Sequence, residues 1–392
     1  MTPYSDLLFF GLALYFVLPA IALGIAGRLT WHWVLVSTVA MGILQMALPA
    51  VVAGHIWWTP VAAATGWVLW QWAVVRSFLA LHAKRRPWLV WLAVLAALIP
   101  LLALKYLPLA LPDGVAHIIG ISYVTFRALD VVLGVHDGLI TELRAAPYLA
   151  YVIFFPTLSA GPIDRYRRFV ADFAQRRTRA EYVRLLDEAV RAGMLGVLYK
   201  FVLAVAVHRW WLDPVTAVHG WRATLSYMYA YSAYLFCDFA GYSAFAVAFS
   251  KLFGIRSPEN FDQPWRARDL ADFWSRWHIS LSTWLRDQVY MRFLMAARMR
   301  GWFKSKHVAS AVGLLLSFGL MGLWHGASMN YIVYGFYHAV LLIGLERWRR
   351  YSPIKRPAPG STGPLTLRNV GATLLTLQLV CVSFLIFSGR LF

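Results

Sequence analysis

An all-α, polytopic membrane protein is the fold class this sequence predicts, on three observations. Of its 392 residues, 60% are hydrophobic and only 14% charged, with a mean hydropathy of +0.58. A soluble domain is about 45–50% apolar and about 25% charged. Apolar runs of 18 or more residues recur along the chain, each long enough for the hydrocarbon core. The runs are long and rich in Leu, Trp and Phe, whereas an outer-membrane barrel shows short alternating segments.

The apolar segments cover roughly 6–27, 31–53, 57–81, 88–106, 115–135, 147–160, 186–212, 222–253, 308–327, 330–346 and 368–389. The first, in MTPYSDLLFFGLALYFVLPAIALGIAG, lacks a basic leader and a clean cleavage site, so it reads as a retained spanning helix. No internal repeat is evident, and a single integral membrane domain over 1–392 is the simplest division. Within it, 1–110 holds the N-terminal spans, 115–350 the core and 365–392 a last span.

The net charge is +19. Basic clusters fall at Lys84-Arg85-Arg86, Arg165 to Arg179, Arg298 to Lys306 and Arg347 to Arg356. One reading is the positive-inside rule, which places all four in the cytoplasm. A basic face that receives an acidic partner or anionic headgroups is compatible with it. The clusters flank spans and form no separate domain, so nucleic acid is not an expected partner.

Topology then exposes a conflict. With Lys84 inside after three spans, the N-terminus is outside and Leu111-Pro112-Asp113 is outside. Arg165 is inside, so an odd number of crossings must separate it from Asp113. Two apolar segments lie between them. One of the two, 115–135 with its Arg127 and Asp130 or the short 147–160, is expected to be re-entrant, which is tolerated only where backbone lines a cavity or is shielded by protein. The stretch 254–306 is too polar to span and too aromatic for a plain loop. It predicts one or two amphipathic or re-entrant helices, with proline-free, helix-compatible sequence from Asp269 to Arg292.

The two cysteines, Cys237 and Cys381, sit far apart in apolar segments and match no metal or redox motif. Of eleven histidines, His32, His55, His82, His117, His136, His208 and His219 lie near segment ends, where an amphipathic ring suits the interface. His307 adjoins a basic cluster, and His338 reads as a packing residue. His278, in FWSRWHISLS, would share a helical face with Trp274 and Ser282 at i, i±4. It is either an interfacial ring or a functional one. His325, in LMGLWHGAS, follows Trp324 and is flanked by Gly322, Gly326 and Ala327, small residues that let a substrate chain or another backbone approach. It is either an interhelical hydrogen-bonding group or a base, since imidazole is poised near neutral pH and ionisable groups in spans are functional candidates.

Arg127 and Asp130 are spaced for a local ion pair. Asp238, in YLFCDFAGYS, could orient a histidine or accept hydrogen bonds. GPIDRYRRF, containing Arg165, could mark topology or grip a phosphate or carrier. No G-x-S-x-G, H-E-x-x-H or P-loop occurs, which favours direct transfer between two bound substrates without a covalent enzyme intermediate.

The motifs GISYVTFR (120–127), FFPTLSAGPIDRYRRF (154–169), YLFCDFAGYS (234–243), SPENFDQPW (257–265), DFWSRWHISLSTWLRD (272–287) and GLMGLWHGAS (319–328) stand in an order that resembles the membrane-bound O-acyltransferase (MBOAT) family, strongly over 115–350. The details are most similar to its DltB-like branch of D-alanyl transfer proteins. The resemblance implies a ring of about 10–12 transmembrane helices, with re-entrant helices around a central tunnel. It implies His325 as catalytic base and His278 as the facing residue. Trp324, Ser282, Asp238, Arg127 and Arg165 are candidates for the tunnel and substrate contacts. It also implies a donor, the phosphopantetheine thioester of a small acidic (DltC-like) acyl carrier protein, with no bound cofactor and no metal. The carrier would dock at Val289, Arg292, Met295, Arg298 and Arg300. The acyl group would pass across the cell membrane toward a hydroxyl of an envelope polymer or a relay partner, either DltD-like or a small membrane peptide. Alginate-type O-acetyltransferases share RWHxSLS and WHG-like motifs, so exopolysaccharide O-acetylation is the near alternative. A transporter or lipid-binding scaffold is the alternative of a different class.

Overall fold

A computed structural model describes residues 3–82, 86, 88–106, 120–352 and 366–392. Lys84, Arg85, Leu111-Pro112-Asp113, His117, Lys355 and Arg356, on which parts of the topology reading rest, lie outside the described residues. Helices dominate, as the composition demands: backbone polar groups in lipid must be satisfied within their own segment. In order they are α1 (Leu7–Ile25), α2 (Trp31–Val52), α3 (Trp58–His82), α4 (Trp88–Tyr106), α5 (Ile121–His136), α6 (Ala145–Val152), α7 (Tyr166–Ala174), α8 (Arg179–Thr216) and α9 (Trp221–Leu252). Then come α10 (Leu270–Arg276), α11 (Ile279–Leu285), α12 (Met291–Met299), α13 (Lys306–His325), α14 (Met329–Tyr351) and α15 (Leu367–Phe387). Among the described residues seven of these, α1, α2, α4, α8, α9, α13 and α15, are long and apolar enough to cross a membrane. The chain is thus an all-α, multi-pass membrane protein.

Two compact units are formed, residues 1–196 with 242–258, and 197–241 with 259–392. In the first, Tyr4 packs on Phe9 at 4.7 Å between ring centroids and stacks on Phe245 at 5.8 Å. Its hydroxyl donates to the Pro156 carbonyl at 3.0 Å. The helix α6 is only 8 residues long, about 12 Å against a core of about 30 Å. It is too short to cross as a single helix, and α5, at 16 residues, is not among the candidate spans either.

Arg127, 1% exposed, holds this region in place. Its guanidinium donates to the carbonyls of Tyr151 at 2.8 Å, Val152 at 3.0 Å and Thr157 at 2.7 Å, and to the Thr157 hydroxyl at 2.5 Å. The expected local Arg127–Asp130 pair is not formed. Asp130 instead takes Arg165 at 2.8 Å and the Tyr166 N–H at 3.0 Å. The reason is geometric: a short helix ending in the interior leaves carbonyls that need donors, and the planar five-donor fork of arginine serves several at once. Three charges of GPIDRYRRF are similarly engaged, Arg165 with Asp130, and Arg168 with Asp164 as well as with Asp172 outside the motif.

Candidate functional site

The second unit contains both singled-out histidines. Helices α13 and α14 form a close hairpin. A Cβ on Gly322 would lie 2.5 Å from the Tyr331 carbonyl oxygen, and one on Gly335 would lie 2.3 Å from that of Phe318. The small residues beside His325 thus admit another backbone, one of the two options left by the sequence. His325 is the last residue of α13, where the chain leaves the helix into an extended Gly326. Its ring is half-buried among Trp324 at 4.6 Å, Phe387 at 4.9 Å, Tyr331 at 5.9 Å and Tyr334 at 6.2 Å.

His278 sits differently from expectation. The helix expected to run on from Asp269 breaks: α10 ends at Arg276, Trp277 is extended, and His278 adopts a left-handed conformation with φ 44° and ψ 50°. Trp274 and His278 are therefore not neighbours on one helical face. The segment SPENFDQPW causes the break by pairing with the gap. The Asp262 N–H donates to the Arg276 carbonyl and the Ile279 N–H to the Asn260 carbonyl, both at 3.0 Å, with Phe261 opposite Trp277 in an antiparallel bridge. The Asn260 side chain accepts from the Ser280 hydroxyl at 2.6 Å. Backbone in this region costs about 1–2 kcal/mol for a residue with a Cβ. Such outliers persist where the surroundings over-determine them, as in active sites.

The imidazole of His278 is 5% exposed, meets Phe239 edge-on at 4.8 Å, and its Nδ1 has no hydrogen-bond partner among the described residues. Burial pushes its pKa down to about 3, and the nearby His325 adds to that. It is therefore a neutral ring, within electrostatic reach of His325, with an unspent polar atom. A buried nitrogen without a partner calls for an explanation, and a catalytic role is one of them.

The remaining candidates sort by contact. Trp324 packs on His325. The Ser282 hydroxyl donates to the His278 carbonyl at 3.1 Å and to that of Trp277 at 3.2 Å, so it caps the break. Asp238 neither orients a histidine nor simply collects hydrogen bonds: its carboxylate pairs with Lys200 of α8. That lysine was missed, though a lone cation in MLGVLYKFVLAVAV was its signal. Its turn is π-helical, Leu198–Leu203, and at Gly241 a Cβ would lie 2.6 Å from its backbone nitrogen. Arg127 and Arg165 belong to the first unit. His338, read as a packing residue, is buried and its Nδ1 accepts from the Trp274 indole at 3.3 Å, while its Nε2 has no partner among the described residues.

Val289 lies in a π-helical turn, Arg286–Tyr290, leading into α12. From there Met295, Arg298, Met299 and Arg300 are exposed, and Arg292 donates to the Gln288 side chain at 2.8 Å. Exposed methionines here stand beside the exposed cations Arg298 and Arg300.

Comparison with known proteins agrees with this picture. The model of the MBOAT, membrane-bound O-acyltransferase family matches residues 33–359. A teichoic acid D-alanyltransferase of Bacillus subtilis is 37% identical, covering 100% of this chain and 99% of the relative. Another, of Lacticaseibacillus rhamnosus, is 34% identical over 100% and 98%. A probable alginate O-acetylase of Pseudomonas syringae is 33% identical over 69% of this chain and 49% of its own length. With a family match over most of its length and full-length relatives above 30% identity, the chain belongs to the membrane-bound O-acyltransferase family and is a membrane acyltransferase.

Proposed function

We propose that this protein takes D-alanine from the phosphopantetheine thioester of an acidic acyl carrier protein at the cytoplasmic face and delivers it across the cell membrane to a hydroxyl. The acceptor is an envelope polymer of the teichoic acid kind, or a relay partner that passes the group on. The observation that carries the reading is in the second unit: a neutral buried His278, its Nδ1 without a partner among the described residues, within electrostatic reach of His325 at the end of its helix. Full-length relatives named teichoic acid D-alanyltransferase support the choice of acyl group.

The chemistry follows from the two rings. His325 removes the proton of the acceptor hydroxyl as its oxygen attacks the thioester carbonyl. A C–O bond forms, the C–S bond breaks, and the imidazolium returns the proton to the departing thiolate. His278 hydrogen-bonds the carbonyl oxygen on which charge develops, where a fixed donor in a dry site is worth most. The exposed methionines and arginines of α12 receive the carrier, whose acidity complements them. The positive-inside pattern of the basic clusters supports an N-terminus on the outer side.

O-acetylation is the second reading, favoured by the alginate O-acetylase relatives. The test is donor choice. The purified protein in proteoliposomes is given carrier charged with radiolabelled D-alanine or acetate, and label leaving the carrier is followed. D-alanyl carrier is consumed at least about tenfold faster if the reading holds. Preferential consumption of the acetyl donor, or of neither, overturns it.

A further inference from the structure

The aromatic rings around His325 come from three places in the sequence, and one of them is unexpectedly well anchored. Phe387, the last residue of α15, meets the imidazole at 4.9 Å with the ring planes 88° apart. It also packs on Tyr331 at 5.0 Å and Tyr334 at 5.1 Å. Its carbonyl accepts from the Asn330 side chain at 2.8 Å. Three residues on, Arg390 donates to the carbonyls of Thr216 at 2.6 Å and Val218 at 2.5 Å, and lies over the Tyr227 ring at 5.1 Å. A guanidinium that clasps two carbonyls and a ring fixes the chain just after Phe387, and Asn330 holds the Phe387 carbonyl itself.

This arrangement answers a chemical need. Taking the acceptor proton makes His325 a cation, half-buried beside the rings of Trp324, Tyr331, Tyr334 and Phe387. Aromatic faces carry a negative quadrupole and attract a cation whose centre lies within about 6 Å of theirs. The perpendicular contact lets an imidazole edge meet an aromatic face. We propose that Phe387, held by Asn330 and Arg390, is a positioning residue for His325, and that it completes an aromatic enclosure which orients the ring and stabilises the imidazolium formed during transfer. The proposal rests on the reading of His325 as the base.

The test uses proteoliposomes, carrier charged with radiolabelled D-alanine and a teichoic acid acceptor. Phe387→Leu keeps an apolar side chain of moderate size but loses the π face. It lowers kcat by about tenfold, the loss of one partly shielded cation–π contact, and leaves the KM for the carrier unchanged. Phe387→Trp restores kcat to within about threefold of the original, as a richer face should. Arg390→Gln lowers kcat in the same direction, and adding it to Phe387→Leu costs nothing further, because the two act as one unit. A purely structural role predicts the opposite: Leu and Trp fail alike, KM moves with kcat, or the two losses add. Any of these, or full activity of Phe387→Leu, overturns the proposal while leaving the base intact. Transfer by His325→Ala in the same assay overturns the base assignment and this inference with it. Should the leucine variant fail to insert, the tryptophan and Arg390→Gln variants decide the matter by the same criteria.

Discussion

Gly322→Ala adds one methyl group three residues before His325, and its cost can be worked from the hairpin. The new Cβ would stand 2.5 Å from the Tyr331 carbonyl oxygen and 3.4 Å from the Gly335 Cα. Carbon and carbonyl oxygen rest at about 3.3 Å or more, so α13 and α14 must part locally by about 0.8 Å. The obstacle is backbone, which cannot swing aside as a side chain could. A displacement of about 1 Å at a catalytic group costs about 100-fold in rate, so kcat falls about 10- to 100-fold. Overpacking costs about 1–3 kcal/mol of stability, partly offset by the better helix propensity of alanine, about 1 kcal/mol. The amount of folded protein is therefore a poor readout, and kcat in proteoliposomes is the right one. Gly335→Ala, whose Cβ would lie 2.3 Å from the Phe318 carbonyl oxygen, behaves alike. Gly319→Ala is the control, since its Cβ meets only the Phe336 ring at 3.6 Å. A Gly322→Ala protein as active as the parent, or one no different from Gly319→Ala, refutes the claim that helix approach positions His325.

Other outcomes are equally direct. Arg127→Met strands the carbonyls of Tyr151, Val152 and Thr157, at about 1–3 kcal/mol each. The detergent-solubilised variant melts well below the parent, and an unchanged melting temperature contradicts the assigned role. Arg298→Glu with Arg300→Glu raises the KM for carrier by at least about tenfold, an effect that shrinks as salt rises; an unchanged KM puts docking elsewhere. Because burial keeps His278 neutral down to about pH 3, His278→Asn lowers kcat without moving the acid limb of the rate profile between about pH 5 and 8. A shift of that limb would make His278 the titrating base.

What was legible in the sequence was what depends on composition and local pattern. Long apolar runs announce helices in lipid, and the short run 147–160 announces a short helix, as α6 is. His325 stood out because an imidazole among glycines has few bland explanations. What escaped was tertiary in origin. Helical spacing from Trp274 to Ser282 gave no hint that Asn260 and Asp262 would pair with the chain at 276–279 and force a left-handed His278. Arg127 looked like the partner of Asp130 because both lie on one helix. Its true partners are carbonyls 24 to 30 residues away, and backbone acceptors leave no mark on a sequence. The enclosure of His325 was invisible for the same reason, since Phe387 is one phenylalanine among 24.

The central claim is that His325 moves the proton in transfer from a carrier-borne D-alanyl thioester. It is tested most directly by mixing excess enzyme in proteoliposomes with D-alanyl carrier and acceptor, and timing the appearance of free carrier thiol together with acceptor-bound D-alanine. The parent protein releases one thiol for each D-alanyl ester formed, and His325→Ala, inserted to the same level, slows both by about 100-fold or more. Equal single-turnover rates for the two proteins, or thiol release with no ester gained, would contradict it.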